Sequence, residues 1–399
     1  MLYNAQRLQA KLKEHNLAAV IATTKENIRY LTGFEPVVKT LNPYRGQCYA
    51  VVTADSPEEV HVVHSVGEID QILDARSNIG QVVTYGTFYR EHPGGGSLPV
   101  EEERLKYLSD VQKSQAGPEE ALAVLLARLN LTADRVALDE DGITASLFGS
   151  IRGRHPQGEF IEGAALLRQV RAVKTQAETD ALAYSADCID YAIGQVIHEL
   201  REGITEHEIA AVFSTAVAAR GGLAVLPMIK AGRHAVGGQR RPSRDIRLQP
   251  GDLLWFDCDI VCDGYWADIA RVVAYKTLKP EYTKYDALYT GQQEAIRQVR
   301  PGMTGGDVFH LTMNAVHEAG FSAYRRHHVG HGIGLEPYEL PILAPGSEDV
   351  IEEGMVLSIE TPYYEFDLGA LHVEDPVLVT REECVRLTRA DTSQIKIVG

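Results

Sequence analysis

The segment Leu253–Val273 reads LLWFDCDIVCDGYWADIARVV, and its pattern predicts a β-hairpin. Two apolar-rich runs flank Asp263–Gly264, a dipeptide that is typical of two-residue hairpin turns. Because side chains alternate between the two faces of a strand, we expect Asp257 and Asp259 on one face. Asp268 follows on the returning strand, where we expect it opposite Asp257.

A second pair of acids repeats this arrangement towards the end of the chain. Glu360 closes the apolar run Met355–Glu360, a turn is predicted at Asp367–Gly369, and Glu374 lies in the returning run Leu371–Val379. Between the two hairpins, His331 lies in the glycine-rich stretch HHVGHGIGL. A lone acid is usually solvated surface, but acids inside apolar strands are rare.

Four buried carboxylates repel one another unless cations cancel their charge. Two divalent cations supply that charge, so the pattern predicts a two-metal hydrolytic centre. Carboxylate oxygens with one imidazole favour Mn²⁺, Zn²⁺, Co²⁺ or Fe²⁺ over a Ca²⁺ cage built only of oxygens. We take Mn²⁺ as the first choice.

The composition excludes several classes of protein. The 399 residues are 45% hydrophobic and carry a net charge of −16, so neither nucleic acid nor an anionic membrane is expected as a partner. No apolar run approaches the roughly 20 residues that span a bilayer. The first residues, MLYNAQRLQAKLKEHNL, predict an amphipathic helix rather than a signal peptide. Five scattered cysteines suit a reducing cytoplasm.

The chain divides into two predicted domains near residue 160. Residues 1–160 alternate helix-like runs with strand-like runs, among them Leu17–Thr23, Cys48–Thr53 and Val60–His64, which predicts an α/β domain. Residues 161–399 mix helices with antiparallel strands, an α+β pattern, and contain all the candidate ligands. Within them, Thr205–Glu208 has the spacing of a capping box at a helix start.

With these motifs the chain resembles the pita-bread metallopeptidases, which include methionine aminopeptidase, aminopeptidase P and prolidase, with creatinase as a non-peptidase relative. An upstream segment, KENIRYLTGF at Lys25–Phe34, resembles the N-terminal domain shared by the creatinase, prolidase and aminopeptidase P branch. The resemblance covers most of the chain and is closest to a bacterial Xaa-Pro dipeptidase. The catalytic-domain motifs are GDLLWFD, GYWADIARVV, GHGIGLEPYELP, GMVLSIETPYY and LHVEDPVLVT.

The resemblance implies metal-binding roles for five residues. Asp257 would bind one metal ion, Asp268 and Glu374 would bridge both ions, and His331 and Glu360 would complete the ligand set. Creatinase lacks most of these acids, so their presence favours a metal-dependent hydrolase.

The same resemblance implies the chemistry. A hydroxide that bridges the metals would attack the scissile carbonyl, and Glu360 would guide its proton towards the leaving nitrogen. His327 stands where relatives keep an active-site histidine, four residues before the ligand histidine. Tyr364 stands where prolidase and aminopeptidase P keep a tyrosine that assists proton transfer.

Three positions depart from the family pattern. Relatives have histidines at the positions of Arg240 and Tyr338 and often an arginine at that of His372. All three are candidate substrate-binding residues: Arg240 as a bidentate carboxylate ligand, Tyr338 as a neutral hydrogen-bond donor, and His372 as a source of positive charge. The alternative for Arg240 is solvent exposure in the basic loop QRRPSRD.

The leading hypothesis is therefore a cytoplasmic, homodimeric Xaa-Pro dipeptidase or aminopeptidase that acts on small peptides. A second hypothesis is a divergent pita-bread hydrolase or lyase acting on a small non-peptide C–N substrate, because the three departures put proline specificity in doubt. A third is a binding module that kept the fold without catalysis, which the complete ligand set disfavours.

Overall fold

The computed structural model describes residues 2–94, 96–279 and 283–399. The chain forms two compact units, Met1–Arg171 and Ala172–Gly399. The boundary expected near residue 160 falls inside the strand Glu159–Glu162, which pairs in parallel with Arg135–Leu138. The division comes later in the chain because this strand completes the sheet of the first unit.

The first unit has the α/β architecture that the sequence predicts. Its strands are β1 (Ala19–Ala22), β2 (Tyr49–Thr53), β3 (Glu59–Ser65), β4 (Asn78–Tyr85), β5 (Arg135–Leu138) and β6 (Glu159–Glu162). They form one mixed sheet in the order β4-β3-β2-β1-β5-β6, antiparallel only at β1–β2 and β2–β3. The helices are α1 (Ala5–Glu14), α2 (Lys25–Thr32), α3 (Val37–Leu41), α4 (Val100–Leu108), α5 (Pro118–Arg128), α6 (Ala145–Arg154) and α7 (Ala164–Ala172).

Within the residues that the structure describes, the second unit contains two larger antiparallel-rich sheets and four α-helices. The strands are β7 (Gly222–Ala231), β8 (Leu253–Cys262), β9 (Tyr265–Tyr275), β10 (Gly330–Gly332), β11 (Glu339–Ile342), β12 (Val356–Glu360), β13 (Tyr363–Glu365), β14 (Gly369–Leu371), β15 (Glu374–Val379), β16 (Cys384–Arg386) and β17 (Lys396–Val398). The first sheet has the order β17-β9-β8-β7 and the second β11-β10-β12-β15-β16, while β13 and β14 form a separate pair. The helices are α8 (Gln176–Glu199), α9 (Glu206–Ala219), α10 (Lys284–Gln298) and α11 (Gly305–Glu318).

Helices α8 and α9 begin at capping boxes. The Thr205 hydroxyl accepts a hydrogen bond from the Glu208 amide at 3.2 Å, and Glu208 Oε2 accepts one from the Thr205 amide at 2.9 Å, which confirms the predicted helix start. Thr175 and Glu178 do the same for α8. Among the helices in the described ranges, none is both long and apolar enough to cross a membrane.

Each large sheet covers a helix pair with one face and leaves the other face for the acids. Phe256 and Ile260 of β8 pack in the same core as α8 and α9, and Leu357 of β12 packs in the core of α10 and α11. The alternation of side chains then turns Asp257 of β8 and Glu360 of β12 away from those helices. The two sheets can thus direct carboxylates towards one space without disturbing either core.

A buried ion pair joins the two sheets next to that space. Arg271 of β9 lies 2.7 Å from Asp375 of β15 and donates a hydrogen bond to the Glu374 carbonyl at 2.6 Å. Gln292 of α10 donates to the Asp375 carboxylate at 2.8 Å and to the Ile359 carbonyl at 3.2 Å. Arg271 therefore holds the backbone at Glu374, and Gln292 holds the adjacent Asp375 side chain.

We expect Asp375→Ala to destabilise the protein by about 3–5 kcal/mol, because it leaves the buried Arg271 guanidinium without its closest counter-charge. A lower urea midpoint, followed by circular dichroism, would measure the loss. The control is Glu202→Ala, which removes an exposed ion pair with Lys276 and should leave the midpoint unchanged. Equal midpoints for wild type and Asp375→Ala would contradict the assigned role.

Candidate metal centre

The first hairpin brings three acids to one face. Its turn is Asp263–Gly264, with φ values of 45° and 81°, left-handed conformations that suit Asp and Gly. This two-residue turn pairs Asp259 with Asp268 and Asp257 with Ala270. The expectation that Asp268 lies opposite Asp257 was wrong by one pleat, because the turn length alone sets the register. All three aspartates still share a face.

The second hairpin places its two glutamates directly opposite each other. Glu360 pairs with Glu374 across β12 and β15, and the strands β13 and β14 carry the hairpin on to its tip. Glu374 also accepts a hydrogen bond from the Ser358 hydroxyl at 2.8 Å. Like charges at directly paired positions destabilise a sheet, so this pair requires a compensating charge.

His331 enters the site between two glycines that allow close strand packing. A Cβ on Gly330 would lie 2.0 Å from the Ser358 carbonyl oxygen, and one on Gly332 would lie 2.3 Å from that of Leu340. His331 is fully buried, and its Nδ1 lies 3.0 Å from the Gly332 carbonyl, which can only accept a hydrogen bond. The proton is therefore on Nδ1, and the Nε2 lone pair is free to bind a metal ion.

The ligand atoms form two groups that share one residue. Asp268, His331 and Glu374 make one group, and Asp257, His372 and Glu374 make the other, with the ligand atoms of each group within 4.8 Å of one another. The structure thus brings together four of the five predicted ligands. The fifth, Glu360, lies beside these groups rather than in them.

The unsatisfied polar atoms fit a metal centre. Asp268 Oδ1 and His331 Nε2 are buried and have no hydrogen-bond partner among the described residues. Such atoms are costly unless something else pairs with them. Oxygen donors with imidazole nitrogen are ligands for Mn²⁺ and Zn²⁺, so the residues present suit divalent cations.

The protonation states of the acids differ with their neighbours. Burial, together with the other carboxylates, raises the pKa of Asp268 and Glu374 well above the usual range and that of Asp259 to about 7. Burial also opposes ionisation of Glu360, but the imidazoles of His328 and His372 outweigh it and lower the pKa of Glu360. Without cations, the acids around Glu374 therefore hold protons that a metal ion would displace.

The acids line a cavity of about 510 Å³, a volume that suits a small molecule. His327, Tyr338 and Tyr364 also line it, as expected for candidate substrate or catalytic residues. The Tyr338 ring stacks on His331 at a centroid distance of 3.7 Å, while half of the residue stays exposed. Burial raises the pKa of both tyrosines, so each keeps its proton and can donate a hydrogen bond.

Arg240 is placed differently from the prediction. Its side chain is exposed, and the cavity wall, as far as the described residues define it, includes the neighbouring Gln239 instead. Gly238 packs so closely that a Cβ there would lie 3.0 Å from the Trp255 ring. Arg240 and Arg241 are both exposed, in line with the alternative of a basic surface loop.

Three ionisable residues that line the cavity were missing from the predicted site. Asp259 shares the face of Asp257, so the strand period was a usable signal. His328, with Nδ1 2.9 Å from Glu360 Oε1, and Arg326 lie before β10 in a stretch without strand or helix periodicity. No sequence pattern distinguishes these two from their neighbours His327 and Arg325.

Paired hairpins that gather acids and histidine in one cavity, in a chain with a separate α/β unit, define a pita-bread metallohydrolase with a creatinase-type N-terminal domain. Matches to two protein-family models agree with this assignment. The model of metallopeptidase family M24 matches residues 180–381, and that of the Creatinase/Prolidase N-terminal domain matches residues 5–173. The chain belongs to metallopeptidase family M24, which confirms the resemblance inferred from its motifs and implies bound divalent metal.

Several proteins that are similar to this chain are named Xaa-Pro dipeptidases. The chain is 26% identical to the Xaa-Pro dipeptidase of Pyrococcus furiosus over 307 residues, which cover 75% of this chain and 88% of that protein. It is 28% identical to the Xaa-Pro dipeptidase of Lactobacillus delbrueckii subsp. lactis over 251 residues, covering 62% and 68%. The solved structure of an Xaa-Pro dipeptidase from Bacillus anthracis superposes with a TM-score of 0.79 at 21% identity, covering 99% of each chain, which confirms the fold class.

We expect the stability of the metal-free protein to fall as pH rises. Because the pKa values of Asp259, Asp268 and Glu374 are raised in the folded state, the folded state binds more protons than the unfolded chain. The free energy of unfolding therefore decreases from about pH 4, the unfolded pKa, upward through the folded pKa, about 7 for Asp259.

Thermal unfolding between pH 5 and 8, with EDTA or with Mn²⁺, measures this effect. The gap between the two melting temperatures should widen with pH, and Asp259→Asn should flatten the decline seen in EDTA. A gap independent of pH would show that the acids do not carry the raised pKa values.

Proposed function

We propose that this protein hydrolyses the Xaa-Pro bond of dipeptides or short peptides with two divalent cations, Mn²⁺ first among them. The observation that carries the proposal is the pair of ligand groups that share Glu374, inside the segment that matches family M24. The names of the relatives support the bond that is cleaved. The cations would be held by Asp257, Asp268, His331, Glu360 and Glu374.

Bound cations would supply a nucleophilic water and polarise the scissile carbonyl. Side chains of the protein carry out the proton transfers. An Xaa-Pro amide nitrogen carries no hydrogen. Like any amine leaving group, proline departs only after its nitrogen takes up a proton. Glu360, which lies 2.9 Å from His328 Nδ1 and has a lowered pKa, can accept a proton from water and pass it to that nitrogen.

The wall of the cavity would orient the substrate. Tyr364 and Tyr338 keep their hydroxyl protons and can donate hydrogen bonds to the carbonyl oxygen as it gains charge. His327, at the exposed rim, can contact the peptide. A site of this kind needs no backbone N–H from the residue after the cleaved bond, so proline is not excluded.

We assign carboxylate recognition to Arg326, in place of the exposed Arg240. Arg326 lines the cavity, and its Nε has no hydrogen-bond partner among the described residues. Its charge also acts on Asp257, which places the guanidinium near the acids. A planar guanidinium binds a carboxylate through two parallel hydrogen bonds, and a dipeptide presents its C-terminal carboxylate next to the cleaved bond.

The proposal also places the protein in the cytoplasm as a homodimer. All five cysteines are free thiols and four are buried, which supports a reducing compartment. The homodimer rests on the family resemblance, and sedimentation velocity would measure it.

The central test is hydrolysis of Ala-Pro by protein loaded with Mn²⁺, Zn²⁺ or Co²⁺. Asp257→Ala and Glu374→Ala should lower kcat/KM by about 10³-fold, roughly 4 kcal/mol of transition-state stabilisation, because each removes a ligand. The exposed Glu318→Gln is the control and should match wild type.

Full activity of both ligand variants would overturn the proposal. Tight metal binding without turnover of any Xaa-Pro peptide, together with turnover of another small C–N compound, would favour the non-peptide alternative. Comparison of Ala-Pro with Ala-Pro-Ala separates dipeptidase from aminopeptidase activity.

A second test concerns Arg326. We expect Arg326→Ala to raise KM for Ala-Pro by about 10- to 100-fold, because a charged hydrogen-bonded pair is lost. KM for Ala-Pro-amide, which has no terminal carboxylate, should change little, and Arg326→Lys should recover only part of the loss. Arg240→Ala is the matched control. An equal rise in KM for both peptides would assign Arg326 a structural role instead.

A further inference from the structure

His372 lies at the centre of the acid cluster rather than on its substrate wall. It is 1% exposed and precedes Glu374 by two residues. Its Nε2 is 3.2 Å from Glu360 Oε2 and 3.6 Å from Glu374 Oε2. The ring is nearly parallel to that of Trp255, at an interplanar angle of 18° and a centroid distance of 6.3 Å. The imidazole thus lies alongside the indole ring, in a nearly parallel plane.

Neither ring nitrogen of His372 has a hydrogen-bond partner in the described part of the chain. Both carboxylates lie within ion-pair distance of Nε2, but neither contact combines the distance and the angle of a hydrogen bond. A buried imidazole with no hydrogen bond is costly in a folded protein. Donor atoms that approach one another without bonding are the arrangement expected when all of them point at a common ion.

The two ligand groups each contain one imidazole. Asp268, His331 and Glu374 bring one imidazole to the first group, and Asp257, His372 and Glu374 bring one imidazole to the second. The groups are therefore chemically alike, each with one nitrogen donor, one aspartate and the shared glutamate. Five ligands would leave the second cation with oxygen donors only.

We propose that His372 is a sixth protein ligand of the metal centre and binds, through Nε2, the cation held by Asp257 and Glu374. The inference rests on the dinuclear centre of the proposed function. Imidazole raises the affinity for Zn²⁺, Co²⁺ and Fe²⁺ more than for Mn²⁺, so this ligand makes the second site more selective than carboxylates alone. Trp255 acts as a positioning residue that fixes the ring plane.

The competing role for His372 is that of a charged imidazolium paired with Glu360 and Glu374. A charge donor is replaceable by arginine, which stays positive but cannot coordinate a metal ion. A ligand is not replaceable in this way. His372→Arg therefore separates the two roles, and His372→Ala and His372→Gln give two further variants should one of them fail to fold.

The test uses Zn²⁺ with the full-length protein. X-ray absorption of the wild type should report about one imidazole per zinc, and His372→Ala, His372→Gln and His372→Arg about one half, because four-coordinate zinc sites show their ligands directly. Calorimetric titration should show one of two sites weakened by at least about 10- to 100-fold in each variant. His331→Ala is the matched control and should weaken the other site.

An unchanged imidazole count in His372→Ala, wild-type affinity in His372→Arg, or failure of the wild type to bind two zinc ions would overturn the inference. A different result would refute the proposed function. A wild type that binds two zinc ions with one imidazole each, but cleaves no Xaa-Pro peptide, would support His372 as a ligand and refute the peptidase assignment.

Discussion

The mutual repulsion of carboxylates in one small cavity is the constraint around which the second unit is built. Two hairpins contribute the acids from strands, and the backbone hydrogen bonds of those strands hold the side chains close despite the repulsion. The buried pair of Arg271 and Asp375, with Gln292 behind it, ties the hairpins together beside Glu374. The rigidity needed for metal geometry therefore comes from outside the metal centre.

Two chemically identical side chains in the acid cluster have different pKa values because their neighbours differ. Glu360 and Glu374 are directly opposite, yet the pKa of Glu360 is lowered and that of Glu374 is raised. The difference follows from position: Glu360 meets the imidazoles of His328 and His372, while Glu374 meets mainly other acids. When neighbouring carboxylates have pKa values shifted in opposite directions, one can take part in proton transfer while the other binds a cation.

The wall of the cavity includes Tyr338, one of the positions at which the sequence departs from the pattern expected of its family. His328 and Arg326 line the cavity with it, beside the acids. Tyr338 covers His331 by stacking, and Arg326 brings a positive charge close to Asp257. Such a site can keep the hydrolytic chemistry of the family and still select its substrate by different contacts.

Local sequence patterns determined the two hairpins, the acids that they carry, and the capping box at Thr205, because these depend on residues only a few positions apart. The two-residue turn Asp263–Gly264 also fixes the strand register. Counting outward from that turn pairs Asp268 with Asp259. Tertiary structure alone decided the positions of Arg326, His328 and Arg240. These residues lie outside regular strands, where no period fixes the side-chain direction. Their orientation is set by contacts with residues distant in the chain, such as Glu360.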